Sequence, residues 1–343
     1  MSERSFTEAK FDTSTKLVEA PKLQSPFEHV LACLDHTAGA MIILERACEI
    51  ALAAGAKLTA MRVIPPPHQE QPVDPVDWQL SSRDETERVK RMGEQTGAPE
   101  DMDVKVVSGH ASHNICKFSH DAGVDLIVLG ARDFGDPHGW GLGGTARHVA
   151  ENFDGSVLII PPGTEQTRSG PRSERRIAFL LDGSPQADSV LPIAAAIARS
   201  RAAELLLMHA LPEIDIFSDG PPEPGDETLR EELKQRAERT AKTRMGRIKA
   251  LLATGDIKSR VRLLSGDEPR RALARALCAD EAELVVLSAR GHGNDPDLRI
   301  GSTGDYLLTH AATPMLLVRN ADRATHRNAE RAPPRRTTVR GIK

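Results

Sequence analysis

The feature that most constrains this chain is that it repeats. A short apolar run closing on an aspartate, His29-Val-Leu-Ala-Cys-Leu-Asp35, returns as Ile177-Ala-Phe-Leu-Leu-Asp182. Each is followed by an alanine-rich helical stretch (38–54 and 186–201) and then a second apolar run, Lys57 to Ile64 and Glu204 to Leu211. Further on, Val104–Gly109 matches Val261–Gly266, Asp125–Gly130 matches Glu283–Ser288, and Gly155–Ile160 matches Thr313–Val318. Helical segments at 111–122 and 269–282 separate them. The offset is 147 residues over the first two strands and 157–158 afterwards, so the second copy carries about ten more residues between strands two and three. Order, type and spacing agree over five strands. The chain is two copies of one domain.

One copy dictates an architecture. Its strands are continuous apolar runs of four to six residues rather than alternating patterns, as expected when helices cover both faces of a sheet. Strand and helix alternate, which demands parallel strands joined by right-handed crossovers. The expected fold is α/β, two tandem doubly wound domains, each a five-stranded parallel sheet flanked by helices. The pattern by itself leaves the strand order open. The expected divisions are an N-terminal segment 1–26, a first domain 27–162, a linker 163–175, a second domain 176–319 and a basic tail 320–343. Residues 65–77, with five prolines, and 212–226, with four, read as long loops after strand two. The tail, with six arginines and Lys343 among little apolar content, reads as solvated.

Composition removes several classes. The net charge of −4 gives no general attraction to nucleic acid or to an anionic membrane. Aromatics at 3% argue against base-stacking platforms. Cys33, Cys48, Cys116 and Cys278 form no CxxC pair and lie in apolar stretches, which predicts buried free thiols. The first 26 residues contain no apolar signal core and no stretch is long enough to span a membrane, so the expected location is cytoplasmic.

In open α/β sheets ligands sit beyond the carboxyl ends of the strands, where the topology reverses, so the residues after strands one and four carry the chemistry. In the second copy these are Asp182-Gly-Ser184 and Ser288-Ala-Arg-Gly291, followed after nine residues by Gly301-Ser302 opening a helix. Glycines there let the backbone approach a ligand, and a helix N-terminus favours an anion. The Ser302 hydroxyl can donate to a phosphate oxygen, and Asp182 can accept from a ribose or base donor or hold a metal beside phosphates. From spacing alone, glycines that merely mark a tight loop are an equal reading. Two decoys fall away. Gly139 to Gly144 satisfies GxGxxG but lies past strand four instead of strand one, and no GxxxxGK[ST] exists. In the first copy His36, His110, His113 and His138 all follow strands on one rim, and with Asp35 and Asp133 they would suit zinc. Solvated loop histidines are the commoner outcome.

These residues carry a resemblance. Gly-x2-Gly-x9-Gly-Ser/Thr after strand four, with an aspartate closing strand one, resembles the universal stress protein family. The match runs through Ser288, Gly291, Gly301 and Ser302, with Asp182 and Ser184 earlier, over roughly 27–162 and 175–319. It implies a strand order of 3-2-1-4-5, adenine near Ala210, and the phosphates of ATP, ADP or AMP on Gly291, Gly301 and Ser302, with Mg as a candidate companion. The family holds both ATP-binding members and members that bind no nucleotide. Ser288 replaces the first glycine, and Gly304 stands where many members carry a second serine. The first copy departs further. Its counterparts are Asp35, Val63, Gly130 and Gly143, but Asp133 replaces the second glycine and Gly144 the serine. A carboxylate at that point repels a triphosphate, so nucleotide is expected in the second copy alone.

No paired carboxylates, nucleophile elbow or triad spacing stands out. The expected function is an adenine-nucleotide-binding sensor or regulator of stress adaptation. A weak nucleotide hydrolase or transferase, and a nucleotide-free scaffold for a protein partner, are the alternatives. The last strand of each copy would be an exposed apolar edge, and the resemblance implies pairing across it. An intrachain pseudo-dimer follows, with Val157–Ile160 antiparallel to Met315–Val318. A homodimer of whole chains would then use other surfaces.

Overall fold

The computed structural model describes residues 27–65, 75–132, 141–164, 175–212, 225–265, 268–291 and 299–319. The first copy runs β1 (His29–Leu34), α1 (Gly39–Ala54), β2 (Lys57–Ile64), α2 (Pro75–Thr96), β3 (Asp103–Ser108), α3 (Ala111–Asp121), β4 (Leu126–Gly130), α4 (Gly144–Asn152) and β5 (Ser156–Ile160). The second repeats it as β6 (Arg176–Leu180), α5 (Pro185–Ser200), β7 (Glu204–Ala210), α6 (Asp226–Thr254), β8 (Ser259–Leu264), α7 (Pro269–Ala279), β9 (Leu284–Ser288), α8 (Ser302–His310) and β10 (Met315–Val318).

Each copy has the order 3-2-1-4-5 with parallel strands, and the two sheets fuse into one of ten strands, β3-β2-β1-β4-β5-β10-β9-β6-β7-β8. The junction is antiparallel, with Met315 opposite Ile159, Leu316 opposite Leu158 and Leu317 opposite Val157. Burial explains the pairing. Every residue of β5 and β10 is buried, whereas the true edges β3 and β8 are only half-buried and carry Lys105, Arg260 and Arg262. Charged, short edges resist further strand addition, and an apolar edge demands a partner. The pseudo-dimer expected from the sequence is therefore present within one chain.

Two apolar layers cover the sheet, and each crosses the seam. One lies under α1, α2, α5 and α6, with Ile43, Leu44, Val89, Ile197 and Met245. The other lies under α3, α4, α7 and α8, with Ile115, Val149, Leu277 and Leu307. Arg201 at the end of α5 reaches Glu49 of α1 at 2.9 Å, and Arg46 reaches the same carboxylate at 3.1 Å. Burial holds the Arg201 guanidinium down, to about 10, with Glu49 opposing the shift.

Two sequence expectations need correction, and a third is filled in. The segment 65–77 is not loop throughout, because α2 begins at Pro75; proline fits the first helical turn, where its missing N–H has no partner to lose. The extra residues of the second copy lengthen a helix, so that α6 has 29 residues against 22 in α2. Cys33 and Cys48 are buried, but Cys116 is half-buried and Cys278 is exposed on α7, although all four are free.

Candidate functional site

Asp182 follows β6 and Gly291 follows β9, and these strands are hydrogen-bonded neighbours at the point where the strand order reverses. Sheet pairing therefore brings together two residues more than a hundred positions apart. The approach is close. A Cβ built on Gly291 would overlap Oδ2 of Asp182 and stand 3.2 Å from its Cγ. Only glycine leaves that carboxylate where it is.

The other carboxylate oxygen is tied down locally. Asp182 Oδ1 accepts from the Ser184 amide at 2.8 Å and from the Ser184 hydroxyl at 2.6 Å. The same hydroxyl accepts from the Ala187 amide at 3.1 Å, capping α5, whose first residue is Pro185. Ser184 is 1% exposed, so its hydroxyl orients Asp182 and is spent on that work. Arg244 of α6 closes the turn from outside through the Gly183 carbonyl and the Asp188 carboxylate.

Across the rim the Gly301 amide donates to the Ala289 carbonyl at 2.8 Å, folding the loop end back beside Gly291. A Cβ on Gly301 would lie 3.9 Å from the Gly291 nitrogen, so the two glycine backbones are adjacent. Gly301 caps α8 with no side-chain hydrogen bond, and Ser302 opens the helix in an exposed position. Ser288 ends β9 opposite Val318, and Ala210 ends β7 opposite Leu264, half-buried on the same edge. Asp182, Ser184, Ala210, Ser288, Gly291, Gly301 and Ser302 thus all border one carboxyl edge of the sheet. The geometry presents an anchored carboxylate, two side-chain-free backbone turns and an uncapped helix N-terminus. That set suits a ligand carrying both hydroxyl donors and an anionic group.

The first copy builds the same frame with different contents. Asp35 accepts from the Thr37 amide at 2.9 Å and hydroxyl at 2.6 Å, reproducing the Asp182–Ser184 turn. The Gly143 amide donates to the Ala131 carbonyl at 2.8 Å, reproducing Gly301. Gly130 ends β4 opposite Ile160, and Val63 is buried near the end of β2. At the position of His209, whose Nδ1 meets the Leu181 carbonyl at 2.5 Å, stands Arg62. It donates to the Leu34 carbonyl at 3.3 Å, pairs with Glu85 at 3.6 Å, and is 9% exposed. Burial lowers its proton affinity. Asp133 lies outside the described residues.

A family model described as "Universal stress protein family" matches residues 26–161 and again 174–319. The chain belongs to the universal stress protein family. A universal stress protein of Thermus aquaticus is 32% identical over 145 residues, covering 42% of this chain and 98% of its own length. One from Mycobacterium tuberculosis is 25% identical over 239 residues, 69% of this chain and 75% of that protein. The crystal structure of a universal stress protein from Archaeoglobus fulgidus shares the fold, with a TM-score of 0.60 and 19% identity over 86% of this chain and 99% of that one.

In this universal stress protein the candidate zinc cluster, the less favoured reading of these histidines, does not form among the described residues. His36, His110 and His113 are each exposed to solvent, and among the described residues no three or more His, Cys, Asp or Glu side chains are grouped to hold a metal ion. His138 lies outside the described residues. Sequence reading also passed over Thr37, Arg62 and Arg244. Thr37 was visible as the match of Ser184 at the repeat offset, and Arg62 as the match of His209. At the later repeat offset of 158, Arg244 falls against Thr86 of α2, so the repeat carried no signal for it. No helix among the described residues is long and apolar enough to cross a membrane.

Proposed function

We propose that the second domain binds an adenine nucleotide, ATP or its di- or monophosphate, and that the chain acts as a cytoplasmic sensor or regulator of stress adaptation rather than as a catalyst. The observation that carries the reading is the cradle at Gly291, which only a residue without Cβ can form against Asp182. The anchored Asp182 carboxylate accepts from ribose hydroxyls or holds Mg beside the phosphates. The backbones of Ser288, Gly291 and Gly301 and the Ser302 hydroxyl receive the phosphates, and Ala210 leaves room for the base. A bound nucleotide supplies charge and hydrogen-bond acceptors, and this chain's residues hold and orient it.

Gly304 also fits this reading. A Cβ there would meet Ile300 Cγ2 at 3.1 Å, so a second serine would need Ile300 to shift by a few tenths of an ångström, and tight packing accounts for the glycine without loss of the site. The test is equilibrium binding of ATP, ADP and AMP to Gly291→Asp. Affinity should fall by roughly ten- to a hundredfold, about 1–3 kcal/mol, the cost of a buried polar clash. Unchanged affinity would remove the nucleotide from this rim.

A further inference from the structure

The second-domain loop is held from the first domain. Arg319 follows β10 directly, and its guanidinium donates to the Phe153 carbonyl at 2.7 Å and to the Ala150 carbonyl. These are carbonyls at the C-terminal end of α4, where the helix leaves its own acceptors without amide partners and a cation is favoured. The same guanidinium donates to the Arg299 carbonyl at 3.0 Å, two residues before Gly301. The Arg299 side chain then returns to the first domain, meeting Asp154 at 2.6 Å. One loop end is thereby tied twice to the α4–β5 turn of the other domain.

The two arginines of the tie have no counterpart in the first copy's sequence. At the repeat offset, Arg319 corresponds to Pro161, which has no donor, and Arg299 corresponds to Gly141, which has no side chain. Among the described residues, the clasp from across the seam falls on the loop that ends at Gly301.

We propose that Arg319, with Arg299 and Asp154, is an interdomain clasp that positions the phosphate-binding loop of the second domain, so that the first domain completes a site it does not itself contain. Gly301 must lie beside the Gly291 backbone for both turns to face one anion, and the clasp fixes the end of the loop from which Gly301 emerges. The cationic balance supports this placement. Arg290 and Arg299 stand close enough to Arg319 to oppose its charge, and burial foremost, with those neighbours, lowers it to about 10, with Asp154 as the compensating carboxylate. An anion at the α8 N-terminus relieves that excess. Arg319 is a positioning residue, since both of its terminal guanidinium nitrogens donate to carbonyls.

The affinity arm of the test rests on the nucleotide reading above; the exchange arm does not. In the full chain without nucleotide, Arg319→Met should speed amide hydrogen exchange at Gly301, Ser302 and Thr303 while amides of β6 and β7 keep their protection. ATP binding should weaken about tenfold, in keeping with the loss of charge-assisted hydrogen bonds, and AMP binding less. Arg319→Lys should recover part of both, because an ammonium reaches fewer of the three carbonyls. Asp154→Asn, which leaves the core untouched, should weaken ATP binding by about two- to threefold, the scale of an exposed ion pair. Unchanged exchange at 301–303 in both Arg319→Met and Asp154→Asn would overturn the clasp, whatever the protein binds. Faster exchange with wild-type protein that binds no ATP would uphold the clasp and sink the nucleotide reading instead.

Discussion

The two domains share a frame and differ at the rim, and the difference separates what the fold requires from what a ligand requires. Both copies keep the aspartate after the first strand, the hydroxyl that anchors it, and the glycine amide folded onto the strand-four carbonyl. Those contacts shape turns and belong to the fold. Only the second copy keeps glycine at the position against the aspartate and serine at the helix start, and among the described residues the clasp across the seam falls on its loop. In the first copy Gly144 has open space where a Cβ would stand, so packing does not explain its missing hydroxyl. Arg62 and Glu85 fill the neighbouring rim instead. Because β5 and β10 are antiparallel, the two rims also face opposite edges of the ten-stranded sheet. What one domain binds is not handed to the other by proximity.

The seam is common to both domains, so breaking it should erase the comparison altogether. Leu317 is fully buried opposite Val157. Leu317→Lys should cost about 4 kcal/mol or more by burying an unpaired charge. Chemical denaturation should show loss of the single cooperative transition, with aggregation on size exclusion. A transition that only one domain loses would mean that the halves fold independently.

The hydroxyl anchors should weigh unequally. Ser184 both holds Asp182 and caps α5 through the Ala187 amide three residues on, whereas the Thr37 hydroxyl accepts only from the Gly39 amide at 3.2 Å and Ala38 offers α1 no side-chain cap. Ser184→Ala should cost about 1 kcal/mol or somewhat more, and Thr37→Ala less, measured by urea titration. Equal costs would show that the two turns do the same work. Gly144→Ser is expected to stay within about 0.5 kcal/mol of the parent, as an exposed change into open space. A marked loss of stability there would mean that the first rim is closed by packing after all.

The smallest effect is a pH slope confined to the first copy. His29 is buried at the start of β1, with Nδ1 on the Ala122 carbonyl at 3.2 Å and Nε2 against the Thr59 hydroxyl at 2.8 Å; Arg176 stands at the matching position of the second copy. Burial lowers the affinity of His29 for a proton. The unfolded chain therefore binds more protons just below the ordinary histidine range. This contribution to stability is complete above about pH 6.5 and declines as pH falls towards the lowered folded value. His29→Gln should flatten the slope in that window, and an unaltered slope would assign it to another group.

Much of this was legible before any coordinates. The repeat offset located all ten strands to within about two residues, the usual uncertainty of element ends, because buried parallel strands are continuous apolar runs. The strand order came through the resemblance, since apolar runs do not say which neighbour they choose. Helix α2 was hidden by a proline-rich segment whose last proline, Pro75, opens it, and α6 by a sequence whose first half is polar on nearly every face. At the rim, Asp182, Gly291 and Gly301 were legible because motif spacing reports backbone geometry. The capping role of Ser184 was legible too, in the Ser-Pro pair that opens α5, but went unread. The Arg319 clasp was not, because its three acceptors come from both domains and meet only once β5 and β10 are paired. The histidines were read with the solvated outcome favoured, and His36, His110 and His113 are exposed, as loop imidazoles beside a rim commonly are.

The central claim is that one chain holds one nucleotide, in the second domain. Isothermal titration of the full chain with ATP in the presence of Mg tests it most directly. The account predicts one site per chain, lost in Gly291→Asp and retained in Asp35→Ala. Two equivalent sites, or one site that survives Gly291→Asp and disappears in Asp35→Ala, would contradict it.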